Sequence, residues 1–295
     1  MHADKGIYWL ASYPKSGNTW FRIFLANLMN NADEAIDINQ VSTGAIASAR
    51  GWIDEVLGFD SSDLTMDEID RIRPTIYSWH AENSKHIGYH KIHDAYTYVT
   101  DTASQSVQPL IPLKGCLGVI YFIRNPLDVA ISFASHSNCS IDKAIVHMSD
   151  ENYAFCNSSS RQYNQLRQWL LSWSSHVQSW TTVKDLNLLV LRYEDMLLDS
   201  EVTFTKAVNF LNLNYTAAQI KRALQQSNIK TLQQMESENG FREKPAKMTS
   251  FFRKGVVGDW KTTLTNVQIE RVIADHRQVM GDFGYLEKSS YTREV

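Results

Sequence analysis

Four features of this chain have the residue types and spacing to bind an anion and move a proton. The first is Tyr13-Pro14-Lys15-Ser16-Gly17-Asn18-Thr19-Trp20, a turn that brings together a cation, two hydroxyls and a glycine. It lies between an apolar run, Ile7 to Ala11, and an amphipathic run in which Phe21, Phe24, Leu25, Leu28 and Met29 recur at helical spacing. A buried strand, a tight turn and a helix form a phosphate cradle, because a helix N-terminus presents unpaired amides and partial positive charge. The second feature is Lys91 with His93 at the end of the alternating run 86–93. The third is Arg124 onward, directly after the apolar run Leu117 to Ile123. The fourth is Tyr193, just beyond Leu188 to Leu191.

All four fall where predicted strands end. Strands that alternate with helices call for a parallel sheet covered on both faces, and ligands of such sheets bind beyond the carboxyl ends of the strands. The expected architecture is therefore α/β: one three-layer domain over 1–295, with a central parallel β-sheet flanked by helices and a P-loop-like first turn. A short helix is expected over Ile46 to Leu57. Another opens with the capping box Thr65 to Glu68 and stops before Pro74. Asn125-Pro126-Leu127-Asp128 starts a third, and a short stretch comes next over Asp142 to His147. A long helix over Gln162 to Val183 carries Leu166, Trp169, Leu170, Trp173, Val177 and Trp180 on a core-facing stripe. Further helices are expected near 200–212, 216–226 and 266–281. Residues 94–115 read as an extended connection, and 227–249 as a polar segment.

Composition narrows the function. The chain has 295 residues and a formal charge of -3, which argues against a nucleic-acid partner and requires any anion site to be a local cluster. The three cysteines, Cys116, Cys139 and Cys156, show no metal or disulfide spacing. No metal site is expected. No stretch is long and apolar enough for a signal core or a membrane span, so a cytoplasmic protein with no membrane partner is expected, and the sequons at Asn138, Asn157 and Asn214 are read as chance. In the first turn the lysine precedes the glycine, the reverse of the Gly-Lys-Ser/Thr order of the Walker loop.

With these residues in view, the chain resembles the cytosolic-type sulfotransferases that use 3′-phosphoadenosine 5′-phosphosulfate (PAPS). Tyr13 to Trp20 resembles their 5′-phosphosulfate loop, and Arg124 with Ser132 their 3′-phosphate motif. Arg253-Lys254-Gly255 followed by Gly258-Asp259-Trp260-Lys261 resembles their C-terminal signature. The resemblance implies PAPS as donor, 3′-phosphoadenosine 5′-phosphate (PAP) as product and a small-molecule acceptor. It places the 5′-phosphosulfate on Lys15, Ser16, Gly17, Asn18 and Thr19. The 3′-phosphate falls on Arg124, Ser132, Arg253, Lys254 and Gly255. Trp20 and Ile229 lie about the adenine, Ile229 standing where the family carries an aromatic, and Tyr193, Ser227 and Phe252 are neighbours. Lys91-Ile92-His93 matches the catalytic Lys-x-His, with His93 as general base and Lys15 and Lys91 stabilising the transferring group and the leaving phosphate. Where the family continues with Leu-Pro, this chain has Asp94-Ala95.

The acceptor side is expected to draw on 42–60, 134–160 and 235–251. These segments hold Ser135, His136, Ser137, Asn138, Asp142, Asp150, Glu151, Glu236 and Glu238, so a polar, even cationic, acceptor is expected. A bacterial natural-product enzyme fits that reading. Lys261, Thr265 and Glu270 match the family's dimerisation pattern only in part, which leaves a monomer or weak homodimer. The competing readings are a P-loop kinase or NTPase and a catalytically inactive nucleotide-binding protein of the same fold.

Overall fold

The computed structural model describes residues 5–41, 43–100 and 105–286; Ser42, at the edge of one expected acceptor segment, lies outside them. The strands are β1 (Gly6–Ser12), β2 (Ile87–Ile92), β3 (Tyr98–Thr100), β4 (Val107–Pro109), β5 (Cys116–Ile123), β6 (Ala154–Phe155), β7 (Gln168–Trp169) and β8 (Leu188–Arg192). The α-helices up to β8 are α1 (Asn18–Asn30), α2 (Arg50–Leu57), α3 (Met66–Asn83), α4 (Pro126–Ser137), α5 (Ile141–Ser149) and α6 (Trp173–Thr181). After it come α7 (Tyr193–Leu198), α8 (Ser200–Phe210), α9 (Ala217–Gln226), α10 (Ile229–Asn239), α11 (Trp260–Thr263) and α12 (Asn266–Asp282).

The central sheet is parallel, in the order β2-β1-β5-β8. Alternation along its middle strands makes it the middle layer of three. Ile7, Trp9 and Ala11 of β1, with Val119, Tyr121 and Ile123 of β5, pack against α3, α4, α5, α6 and α12. Tyr8, Leu10, Ile120 and Phe122 face the other way, onto α1, α8 and α9. The chain leaves β1 for β2 on one side and later enters β5 on the other, so the strand order reverses beside β1. That is the switch point at which open parallel sheets bind ligands. Register brings the carboxyl ends level, with Ala11 beside Ile92, Ser12 beside Phe122 and Ile123 beside Arg192.

Several elements differ from the sequence expectation. Helix α3 does not stop before Pro74 but runs through it. The ring removes one hydrogen bond to Asp70, yet Ile69, Arg73, Ile76, Tyr77 and Ala81 on the same helix are all buried, and that tertiary burial outweighs the lost bond. The long helix over 162–183 is replaced by a β-strand and the shorter α6. The amides of Leu170 and Leu171 both donate to the Tyr153 carbonyl, Leu171 adopts a left-handed φ of 57°, and Ser172 starts α6 by accepting from the Ser175 amide. The apolar stripe is still core, except that Trp169 is only half-buried. The connection 94–115 contains the β3–β4 hairpin. The expected polar segment contains α10, capped by the Asn228 side chain, and α7 was not anticipated.

Candidate active site

A cavity of about 810 Å³ opens at the carboxyl ends of β1, β2, β5 and β8 and reaches α10 and the 251–259 loop. Its size suits a nucleotide with a small second ligand.

The first turn is held at both ends. The Asn18 side-chain amide donates to the Leu10 carbonyl at 2.7 Å, tying the start of α1 back to β1. Gly17 caps α1 with φ 101°, and a Cβ there would come within 2.8 Å of the Tyr193 ring, so glycine meets both a backbone and a packing requirement. Lys15 also lies at positive φ, 73°, with its ammonium 4.1 Å from the centroid of the Phe251 ring. Burial, then the nearby charges of Lys91, Arg124 and Arg253, bring the Lys15 pKa down to about 7. The buried Ser16 hydroxyl has no hydrogen-bond partner among the described residues.

Arg124 joins three parts of the site. Its guanidinium lies 4.2 Å from the centroid of the Tyr193 ring, and it donates to the Lys15 carbonyl at 3.3 Å and the Val256 carbonyl at 3.0 Å. Its Nε is buried and unpaired. Asp128, in the first turn of α4, accepts from the Gly258 amide at 2.8 Å and the Trp260 amide at 3.0 Å. It thereby fixes the loop that carries Arg253 and Lys254. Both of those cations face Asp259, Lys254 at 2.6 Å and Arg253 at 3.8 Å. Ser132, Phe252 and Gly255 line the same end of the cavity. Trp20 and Ile229 line it as well and share a small cluster with Ile23 and Leu232. Gly255, at φ 62°, leaves room for Ile229, whose Cγ1 would lie 2.8 Å from a Cβ there. Ser227 lies outside the cavity lining; it is fully buried and its hydroxyl donates to the Ala223 carbonyl.

At the other end, β2 delivers Lys91 and His93. His93 Nδ1 lies 2.9 Å from the Ser12 carbonyl, so in the tautomer that donates this bond Nε2 carries the free lone pair. Burial, reinforced by Lys91, holds its pKa well below the usual histidine value, so the ring is neutral. His176 Nε2 donates to the His93 carbonyl at 3.0 Å, while Tyr121 lies 2.8 Å from His176 Nδ1. Sequence reasoning passed over these two supporting side chains, and over Asp128, because each acts through a neighbour distant in the chain.

Asp94-Ala95 begins a buried polar network. Arg73 holds Asp94 with two bonds, of 3.0 and 2.8 Å, and donates to Tyr77 at 2.8 Å; Tyr77 in turn donates to the Ala47 carbonyl at 2.9 Å.

The expected acceptor segments contribute differently from the expectation. Of the polar residues singled out there, only His136 lines the cavity. Its Nδ1 is buried without a partner, and burial together with Lys15 and Lys91 takes its pKa to about 3. Glu236 instead accepts from the Phe251 and Phe252 amides, Asp142 accepts from Gln268, and Asn138 terminates α4. Helix ends and loop anchoring thus engage Glu236, Asp142 and Asn138, and from the three segments Gly44, Ala45, Ile46, Phe155 and Glu243 line the cavity beside His136. Thr265 forms a capping box with Gln268 at the start of α12. Among the described residues no group of His, Cys, Asp and Glu is arranged to hold a metal, and no helix is long and apolar enough to cross a membrane.

The chain and its fold have counterparts among known proteins. The chain is 24% identical over 291 residues to a 3-alpha-hydroxysteroid sulfotransferase of Cavia porcellus, covering 92% of this chain and 83% of the relative. An amine sulfotransferase of Oryctolagus cuniculus is 30% identical over 175 residues, covering 56% of this chain and 55% of the relative. Among solved structures, a mouse sulfotransferase complexed with PAP superposes with a TM-score of 0.57 at 19% identity, over 95% of this chain and 86% of that one. Retinol dehydratase in complex with retinol and PAP gives 0.60 at 18% identity, over 100% and 85%. The sulfotransferase domain model matches residues 6–284, and the chain belongs to the sulfotransferase family.

Proposed function

We propose that this sulfotransferase, acting as one domain in the cytoplasm and as a monomer or weak homodimer, moves a sulfuryl group from PAPS to a hydroxyl or nitrogen of a small polar acceptor, as a bacterial natural-product enzyme would. The observation that carries the reading is that two cationic groups line one cavity, Lys15 with the α1 amides and Arg124 with Arg253 and Lys254. Two such groups suit a nucleotide phosphorylated on both sides of its ribose, which ATP is not. The unpaired buried Ser16 hydroxyl and Arg124 Nε are donors suited to the anionic oxygens of such a nucleotide.

PAPS, when bound, supplies the sulfuryl group on its 5′-phosphate. Lys15 and the amides from Ser16 to Thr19 hold that end. Arg124, Ser132, Arg253, Lys254 and Gly255 hold the 3′-phosphate, while Trp20 and Ile229 flank the base. His93 Nε2 accepts the acceptor's proton as the new oxygen–sulfur or nitrogen–sulfur bond forms and the bond to the leaving phosphate oxygen breaks. Burial first and Lys91 second hold the basicity of His93 low, and the negative charge of the bound donor raises it. Lys15 and Lys91 offset charge on the departing and transferring groups.

The test uses melting temperature and labelled PAPS. PAP and PAPS should each stabilise the protein by several degrees and ATP with Mg²⁺ should not; label should move to polar alcohols or amines in preference to simple phenols. Stabilisation by ATP with Mg²⁺ alone would favour the kinase reading.

Lys15 also predicts a pH effect. Its free-state pKa of about 7 means that the ammonium is lost as pH rises through that value, while the second ionisation of a phosphate, near pH 6, is already complete. PAP affinity should therefore weaken above about pH 7, by a factor approaching tenfold per pH unit, with proton uptake on binding. Titration calorimetry in two buffers of different ionisation enthalpy checks both the slope and the uptake.

A further inference from the structure

Glu243 belongs to none of the motifs that define the site, yet it lines the cavity beside Lys91. One carboxylate oxygen accepts from Arg22 at 2.7 Å and the other from Lys91 at 3.3 Å. Arg22 projects from α1 with only 7% of its side chain exposed, and its Nε donates to Thr43 at 3.0 Å. The guanidinium is therefore held at two points, and it holds the carboxylate that holds Lys91.

We propose that Glu243 is the positioning residue for Lys91, linking the loop after α10 to α1 and to the catalytic end of β2. This rests on the sulfuryl-transfer reading above. A lysine side chain is a flexible four-carbon stem with a point charge at its tip, and fixing it requires a partner. An ammonium has three N–H groups, and Glu243 takes one of them at the longer of its two distances. Two N–H groups remain for the transferring group, so the contact aims Lys91 without withdrawing it. Lys91 is also nearly buried beside a second cation, Arg22, and Glu243 is the carboxylate paired with both. Burial works against ionisation of Glu243, but Lys91 and Arg22 overcome it and bring its pKa to about 2, so the carboxylate is charged throughout the working range.

The experiment compares wild type, Glu243→Gln, Glu243→Asp, Lys91→Met and the Glu243→Gln/Lys91→Met double variant. Consumption of labelled PAPS is monitored with 4-nitrophenol, with tyramine and with water alone as nucleophile, and PAP-induced stabilisation is measured alongside. Glu243→Gln should lower kcat about tenfold or more with KM for PAPS and the PAP-induced shift nearly unchanged. Glu243→Asp should recover part of the loss, and in the Lys91→Met background Glu243→Gln should cost nothing further. A Glu243→Gln enzyme as fast as or faster than wild type overturns the proposal, as does a loss that multiplies independently with that of Lys91→Met. A wild type that PAP fails to stabilise overturns the donor reading itself, whereas one that PAP stabilises alongside a fully active Glu243→Gln overturns only the role of Glu243.

Discussion

His93→Ala should lower kcat by about 10²- to 10⁴-fold while leaving PAP-induced stabilisation intact, the usual loss when a positioned general base is removed. The two effects separate because the His93 ring pairs with Ser12 at the end of β1, whereas Arg253 and Lys254 stand on the 251–259 loop and pair with Asp259. With Nδ1 committed to the Ser12 carbonyl, only Nε2 can take a proton, so His93→Gln should also be inactive even though an amide can copy part of the hydrogen bonding. A fall of less than about tenfold with PAP still bound would remove His93 from the proton transfer. Steady-state rates with labelled PAPS, beside melting curves with and without PAP, make the measurement.

The second large effect concerns stability. Arg73 and Asp94 are each fully buried and joined by two short bonds. Arg73→Met alone strands a carboxylate in the core and should cost about 3–5 kcal/mol, a fall in Tm on the order of 10 °C for a chain of this length. Arg73→Met combined with Asp94→Leu removes both charges and should regain most of that loss, since an apolar pair of similar volume is often neutral or better in place of a buried ion pair. Chemical denaturation of the single and double variants checks this; equal destabilisation by both would show that shape, and not charge, is what Asp94 supplies. The departure from the family's Leu-Pro after His93 thus has a structural counterpart. Here the strand end is fixed by an ion pair, by the Trp180 indole donating to the Asp94 carbonyl and by His176 donating to the His93 carbonyl.

Local pattern carried most of the frame. Apolar runs of four to seven residues lead towards Lys15, Arg124 and Tyr193, and an alternating run ends at His93; the apolar ones were legible because a buried parallel strand leaves a continuous hydrophobic signature and its carboxyl end is where polar chemistry can begin. Capping chemistry likewise located α3 and α4. Periodicity misled where non-local bonds took over. Leu166 to Trp180 carry a helical stripe, but the Tyr153 carbonyl and the β6 strand claim the backbone before Ser172. Pro74 looks like a stop in the sequence because the burial of its neighbours is a property of the fold alone.

The turn from Tyr13 to Trp20 was therefore legible in the sequence itself: a buried apolar run, a turn with a lysine and a glycine, and an amphipathic run predict the strand, turn and helix that the fold contains. What only the tertiary structure decided is which distant groups meet it. Asp128 reaches the 258–260 amides, Glu236 is spent on Phe251 and Phe252, and Glu243 crosses from the loop after α10 to Arg22 and Lys91. A carboxylate has no periodicity that announces its partner; the partner is set by which strand and helix ends the sheet order brings together.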